Sequence, residues 1–161
     1  MPNHWIIRVG DGKNFKNSKY PFWGMKRGKH GCIKGIINKN FKKGDILWFI
    51  TSVKSENGGK VVALAEYTEM FDRMDEQLFQ YKTYSNEEQG WEGDEDWHLQ
   101  LHYTNYYDAQ NCDIKLSLSV PNIIMNYEKF KDKLEKKYEK FICLKTHYKL
   151  FKKYGTVKQF N

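Results

Sequence analysis

Residues 41–67, FKKGDILWFITSVKSENGGKVVALAEY, decide the fold. Lys42-Lys43-Gly44-Asp45 reads as a turn, and Gly44 permits the positive φ that such a turn often needs. An apolar run follows from Ile46 to Ile50, then a polar tip from Ser52 to Lys60 containing Gly58-Gly59, then a second apolar run from Val61 to Ala65. Two apolar, β-prone runs joined by a polar Gly-Gly tip predict a β-hairpin.

Outward from the hairpin, Trp5–Val9 is short, apolar and β-branched, which predicts a first strand. Gly10–Pro21 is expected to be a loop, with Phe22-Trp23-Gly24-Met25 at its end. Lys26–Asn40 is basic and interrupted by glycines, so a short helix or structured loop is expected. Met70, Phe71, Met74 and Leu78 fall near helical spacing, which makes Tyr67–Phe79 a short helix or an irregular connection. Tyr81–Asp96 carries Gly90, Gly93 and six acidic residues and reads as a loop.

Trp97–Tyr103 alternates, with Trp97, Leu99, Leu101 and Tyr103 on one face and His98, Gln100 and His102 on the other. Asn105–Asn111 reads as a turn region. Ile114–Val120 alternates again and stops at Pro121. Phe130, Leu134, Tyr138, Phe141 and Ile142 recur near a helical period within Tyr127–Tyr148, which predicts a helix. The sum is at least five strands and two or three helices. One α+β domain over 1–161 is expected, with 126–161 a basic C-terminal helix and tail.

At 161 residues, 40% of them apolar, the chain is long enough for a single core. No stretch is apolar for long enough to span a membrane. The first residues lack the basic start and apolar core of a signal peptide, so an intracellular, monomeric protein without a membrane partner is expected. Cys32, Cys112 and Cys143 are far apart and odd in number, which argues against a disulfide framework or a zinc site.

Charge is segregated. Residues 1–60 hold 13 Lys and Arg against 3 Asp and Glu, residues 66–96 hold 2 against 11, and residues 126–161 hold 11 against 4. Two basic regions flank an acidic one. A basic face can hold a phosphate backbone by counterion release. The competing reading is a set of solvated lysines on a Lys-rich, Asn-rich chain.

Several segments in order resemble the PUA-like superfamily, especially its EVE and YTH domains. Trp5-Ile6-Ile7-Arg8 resembles the opening strand, and Trp23-Gly24 the tryptophan after the first loop. Lys43-Gly44-Asp45 followed by Leu47-Trp48-Phe49 looks like the EVE strand entry. Phe49-Ile50-Thr51-Ser52-Val53 with Gly58-Gly59 is similar to the YTH hairpin. Ala63-Leu64-Ala65-Glu66 resembles the strand that returns across the barrel, and Trp91 with the strand from Trp97 resembles the YTH loop tryptophan and the strand after it. The ending departs from the YTH pattern, and the basic segment after Asn126 extends beyond the common core.

The resemblance implies a partly closed mixed β-barrel of five or six strands with flanking helices. It also implies a non-catalytic module that needs no cofactor and reads a flipped, sometimes methylated, base of RNA or DNA in an aromatic pocket. Trp23 and Trp91 are the cage candidates, because an aromatic face stacks on a base. Trp91 lies in an acidic, Gly-containing loop, where a core role is hard to see. Trp97 begins an alternating strand and can face the barrel interior or its mouth, the interior being the preferred reading, whereas Trp5 and Trp48 lie in apolar runs and read as core. Asn14, Asn17 and Ser18 of the first loop, with Thr51 and Ser52 of the hairpin, are candidates for the base edge. Ordinary turn chemistry competes for each. Lys26, Arg27, Lys29, His30 and Lys34 are the phosphate candidates.

His98 and His102 share a strand face, but no Cys or carboxylate at ligand spacing supports a metal. Asp94, Glu95 and Asp96 read as a solvated acidic run. Two other readings stand beside the reader: an ASCH-like enzyme acting on RNA or modified nucleosides, and a protein-interaction module.

Overall fold

The computed structural model describes residues 3–52, 59–74 and 84–109, together with the backbone of 124–126. The strand expected at Ile114–Val120 and the basic helix and tail expected after Asn126 lie outside these residues. The elements in order are β1 (His4–Arg8), α1 (Lys13–Asn17), β2 (Phe22–Met25), a 3-10 turn (Lys29–Gly31), α2 (Cys32–Asn40), β3 (Ile46–Ile50), β4 (Val61–Asp72), α3 (Asn86–Gln89), β5 (Leu99–Asp108) and β6 (Ile124–Asn126). They form one mixed sheet in the order β2-β5-β4-β3-β1-β6. The sheet curls into a half-barrel, an α+β architecture with few helices.

The hairpin is present as read. β3 and β4 pair antiparallel, Leu47 opposite Ala65 and Phe49 opposite Ala63. Every residue of β3 is buried, as are the first five of β4. Such a strand reads as a continuous apolar run because both of its faces are covered. Gly44 takes φ +95° at the entry turn. There the buried Asp45 carboxylate accepts from the Trp5 indole at 2.9 Å, the Asn3 amide at 3.1 Å and the Lys42 amide at 2.9 Å. Three donors compensate a buried charge that would otherwise be costly. They also lock β1 beside β3, its one parallel neighbour. Trp5 and Trp48 are core residues, as their apolar runs predict.

Three expectations are corrected. Tyr67–Phe79 does not open as a helix, because β4 runs on through Asp72 and stays paired with β5 from Ala63↔Asp108 to Asp72↔Leu99. Period-2 pairing with a long neighbour overrode the weak helical spacing of Met70, Phe71 and Met74. β5 in turn starts at Leu99, two residues after Trp97, and continues through the expected turn at 105–108. Register shifts between Leu64 and Glu66 and between Tyr67 and Glu69 break this long ladder. Shifts of that kind bend and twist a strand pair, which is how the sheet curls.

Two expected loops also hold short helices. Within 10–21, α1 forms because Phe15 turns into the core, where its ring lies 4.5 Å from Phe49 and 5.8 Å from Trp23. Within 81–96, Ser85 and Glu88 form a reciprocal capping box at the start of α3. The helix expected within Lys26–Asn40 is α2, preceded by the 3-10 turn. Among the described residues, no helix is long and apolar enough to cross a membrane.

Candidate nucleic-acid interface

The first loop, β2 and the segment 85–98 are sewn together by polar contacts between residues 67 to 79 positions apart. Gln89, fully buried, accepts from the Tyr20 amide at 2.7 Å and donates to the carbonyls of Tyr20 (2.9 Å) and Phe22 (3.1 Å). The Asn14 side chain bonds Glu92 twice, donating to its carbonyl at 3.1 Å and accepting from its amide at 2.9 Å. Lys13 adds an exposed ion pair to Glu92. Gly90 turns with φ +86°, its α-carbon so close to Asn17 that a Cβ would lie 2.6 Å from the Asn17 carbonyl.

This seam carries Trp91 inward. Its indole nitrogen donates to Ser18 Oγ at 2.7 Å, and Ser18 in turn donates to the Asn14 carbonyl at 2.9 Å. Trp91 is 7% exposed and Trp23 9%, and both belong to the core cluster. Their rings meet edge to face, centroids 5.2 Å apart and planes at 63°. A core place for Trp91, which the loop sequence argued against, follows from the seam: a loop tied down at Gln89 and Asn14 can carry a large ring into the core. The aromatic cluster continues through Phe22 and Phe15.

Trp97 differs. It is half-buried and packs over Gly24, where an added Cβ would meet Trp97 Cβ at 2.5 Å and the Trp91 ring at 2.8 Å. Only a glycine admits both tryptophans so close to β2. The Lys26 ammonium lies over the Trp97 ring, 5.7 Å from its centroid, and pairs with Glu95 at 2.7 Å.

Beside Trp97 opens a groove of about 700 Å³. It is lined by Lys26, Arg27, Gly28 and Lys29 from one segment and by Asp94, Glu95, Asp96 and His98 from another. The acidic run read as a solvated face therefore also lines a groove. Of the five phosphate candidates, Lys26, Arg27 and Lys29 line it; His30 and Lys34 do not. Arg27 and Lys34 both reach the buried Asp72, at 2.9 and 2.8 Å. His30 is exposed on the 3-10 turn with φ +56°, a strained value for a non-glycine residue.

The hairpin candidates are engaged at its base. Thr51 Oγ1 accepts from the Lys60 amide at 2.9 Å, and the Ser52 amide donates to the Gly10 carbonyl at 2.7 Å. Asn14 has both halves of its amide on Glu92, while Asn17 is exposed. His98 lines the groove, but His102 is held between the Phe22 and Phe71 rings, at 5.3 and 5.0 Å. Burial pushes the His102 imidazole down to about 4, and its Nε2 has no hydrogen-bond partner among the described residues. Among those residues no group of His, Cys, Asp and Glu could hold a metal ion.

Two residues were invisible to sequence reasoning: Gln89, the staple of the seam, and Asp72, the partner of the basic segment. Each acts on residues 38 or more positions away, and no local pattern marks such a pair. Fold and site together define a half-barrel with an aromatic cluster in its core and a groove lined by residues of both charge signs. Comparison of the chain with protein-family models, curated proteins and solved structures finds no match.

Proposed function

We propose that this chain is a non-catalytic, PUA-like module that binds nucleic acid and stacks one base, methylated or not, on the aromatic cluster of its half-barrel. One observation carries the reading: Lys26, which with Arg27 and Lys29 lines the groove, lies over the ring of half-buried Trp97, the outermost ring of the aromatic cluster that holds Trp91 and Trp23. Stacking on an aromatic face contributes roughly 1–3 kcal/mol per base. Lysine and arginine beside it neutralise phosphates, and the salt dependence of binding counts them.

The geometry moves the emphasis within the tryptophans. A base sandwiched between two parallel rings needs a gap of about twice the 3.4 Å base spacing. Trp23 and Trp91 touch edge to face within the core, so in this conformation half-buried Trp97 is the ring left to stack on a base. The carboxylates across the groove suit a base edge that carries amino donors, since Asp and Glu accept from such groups.

The test is intrinsic tryptophan fluorescence with short single- and double-stranded RNA and DNA, with and without methylated adenine or cytosine, at two salt concentrations. The expected result is a quench that Trp97→Ala removes in a protein that circular dichroism shows to be folded. Salt-sensitive binding that Trp97→Ala leaves untouched would reduce the module to a backbone binder. An absence of binding even at low salt would end the nucleic-acid reading.

A further inference from the structure

Five basic residues, Lys26, Arg27, Lys29, His30 and Lys34, are equivalent candidates in the sequence, yet the fold treats them unequally. Asp72 closes β4 with a side chain only 3% exposed. Its Oδ2 accepts from Lys34 Nζ at 2.8 Å and lies 2.9 Å from Arg27 Nε, while Oδ1 accepts from the Met74 amide at 3.0 Å. The Arg27 contact is an ion pair without hydrogen-bond alignment. One carboxylate thus faces two cations, which leaves a net positive charge. Arg27 is the more exposed of the two, 39% against 28% for Lys34, and it alone of the pair lines the groove.

The main chain fixes the same residue. The Arg27 carbonyl accepts from the amides of Ile33 (2.9 Å) and Lys34 (3.3 Å), closing the loop between them. Gly28 leaves that loop with φ +80°, where a Cβ would strike Ile33 and Cys32 within 2.7 Å. Lys26, in contrast, is drawn to Glu95 across the groove, and Lys29 is exposed.

We infer that Arg27 is the directional phosphate contact of the groove and that Asp72, braced by Lys34, is its positioning residue. Lys26 and Lys29 add attraction without direction. The inference rests on the nucleic-acid reading above and assigns its parts. The Asp72 ion pair lies on the Nε side of the guanidinium and acts through charge, and the planar fork of the two terminal amino groups matches two phosphate oxygens as a lysine cannot. Burial raises the Asp72 carboxyl, but the Lys34 bond, the Met74 amide and the two positive charges outweigh it, so its pKa lies below the ordinary carboxylate value. Asp72 is therefore an anion at neutral pH, and the arrangement stands without any further ligand.

The experiment is fluorescence anisotropy of a labelled, mixed-sequence single-stranded RNA and its DNA counterpart over a salt series, with the wild type, Asp72→Asn, Arg27→Lys and Lys29→Ala. The sign of the Asp72→Asn effect decides. Removing a negative charge near a phosphate should tighten binding if charge alone matters. Loss of positioning should weaken it, by about tenfold, with the salt slope unchanged. Arg27→Lys keeps the charge and should weaken binding to a similar extent, again without changing the slope. Lys29→Ala should lower the slope by about 1. Equal or tighter binding by a folded Asp72→Asn protein overturns the inference, as does wild-type affinity in Arg27→Lys. If Asp72→Asn does not fold, Arg27→Lys decides alone. A wild type that binds neither probe at low salt removes both the inference and the proposed function, whereas a binding wild type with the wrong variant signs removes the inference only.

Discussion

The β3–β4 hairpin and the seam that joins α1 and β2 to residues 85–98 are both largely buried, yet they are built by opposite means. In the hairpin, neighbours in sequence are neighbours in space, and apolar side chains supply the cohesion. β3 is buried throughout and its partner residues lie across one tip. In the seam the cohesion is polar and long-range: Gln89, Asn14 and Ser18 make it, and the tryptophan it buries arrives on a loop. The difference separates apolar burial, which tolerates imprecise partners, from a polar joint, where each donor and acceptor must find its one counterpart.

The largest expected effect tests the apolar side. Phe49→Ala empties a fully buried site against Phe15 and Tyr103, and should cost about 3–5 kcal/mol of stability, measured by urea unfolding. A smaller cost would mean that the hairpin face collapses around the gap.

Next comes the seam. Gln89→Ala removes three hydrogen bonds from a fully buried side chain and leaves the Tyr20 amide and the Phe22 carbonyl without their partner. It should cost about 2–3 kcal/mol and expose Trp91, which a red shift in emission would report. Stability loss without a spectral shift would separate Gln89 from the placement of the tryptophan.

The smallest effect lies between the two regions, at His102. Its folded-state pKa of about 4 lies below the ordinary 6.5, so the unfolded chain takes up the proton first as pH falls. The stability tied to neutral His102 is complete above about pH 6.5 and declines as pH falls towards 4. By pH 5 the loss should be about 2 kcal/mol. Urea midpoints between pH 7 and 5 would show it, and His102→Leu should flatten that part of the profile. An unchanged slope in the variant would assign the acid sensitivity to other groups.

Much of the sheet is legible in the residues, and for a physical reason. Apolar runs and period-2 alternation are local signals, so β1, the hairpin, the buried face of Leu99, Leu101 and Tyr103, and the Gly44 turn with Asp45 could all be read from the chain. Where helical spacing misled at Tyr67–Phe79, the missing information was a partner: β4 is a strand through Asp72 because β5 lies beside it along that length. The candidate site was legible only as a set of residue types. The basic stretch was visible, but the sequence could not rank its five cations, and it put Trp23 and Trp91 ahead of Trp97 as cage candidates. Asp72 ranks the cations by holding two of them, and Gln89, Ser18 and Gly24 rank the tryptophans by burying Trp91 and Trp23 while Trp97 stays half-buried.

The amino-acid sequence by itself therefore determined which segments are apolar enough to pair and bury, because side-chain period and turn chemistry act over a few residues. The tertiary structure alone decided which rings are buried and which charges are already matched. Those outcomes depend on contacts between residues 38 to 79 positions apart, whose free energy exists only once the sheet has closed.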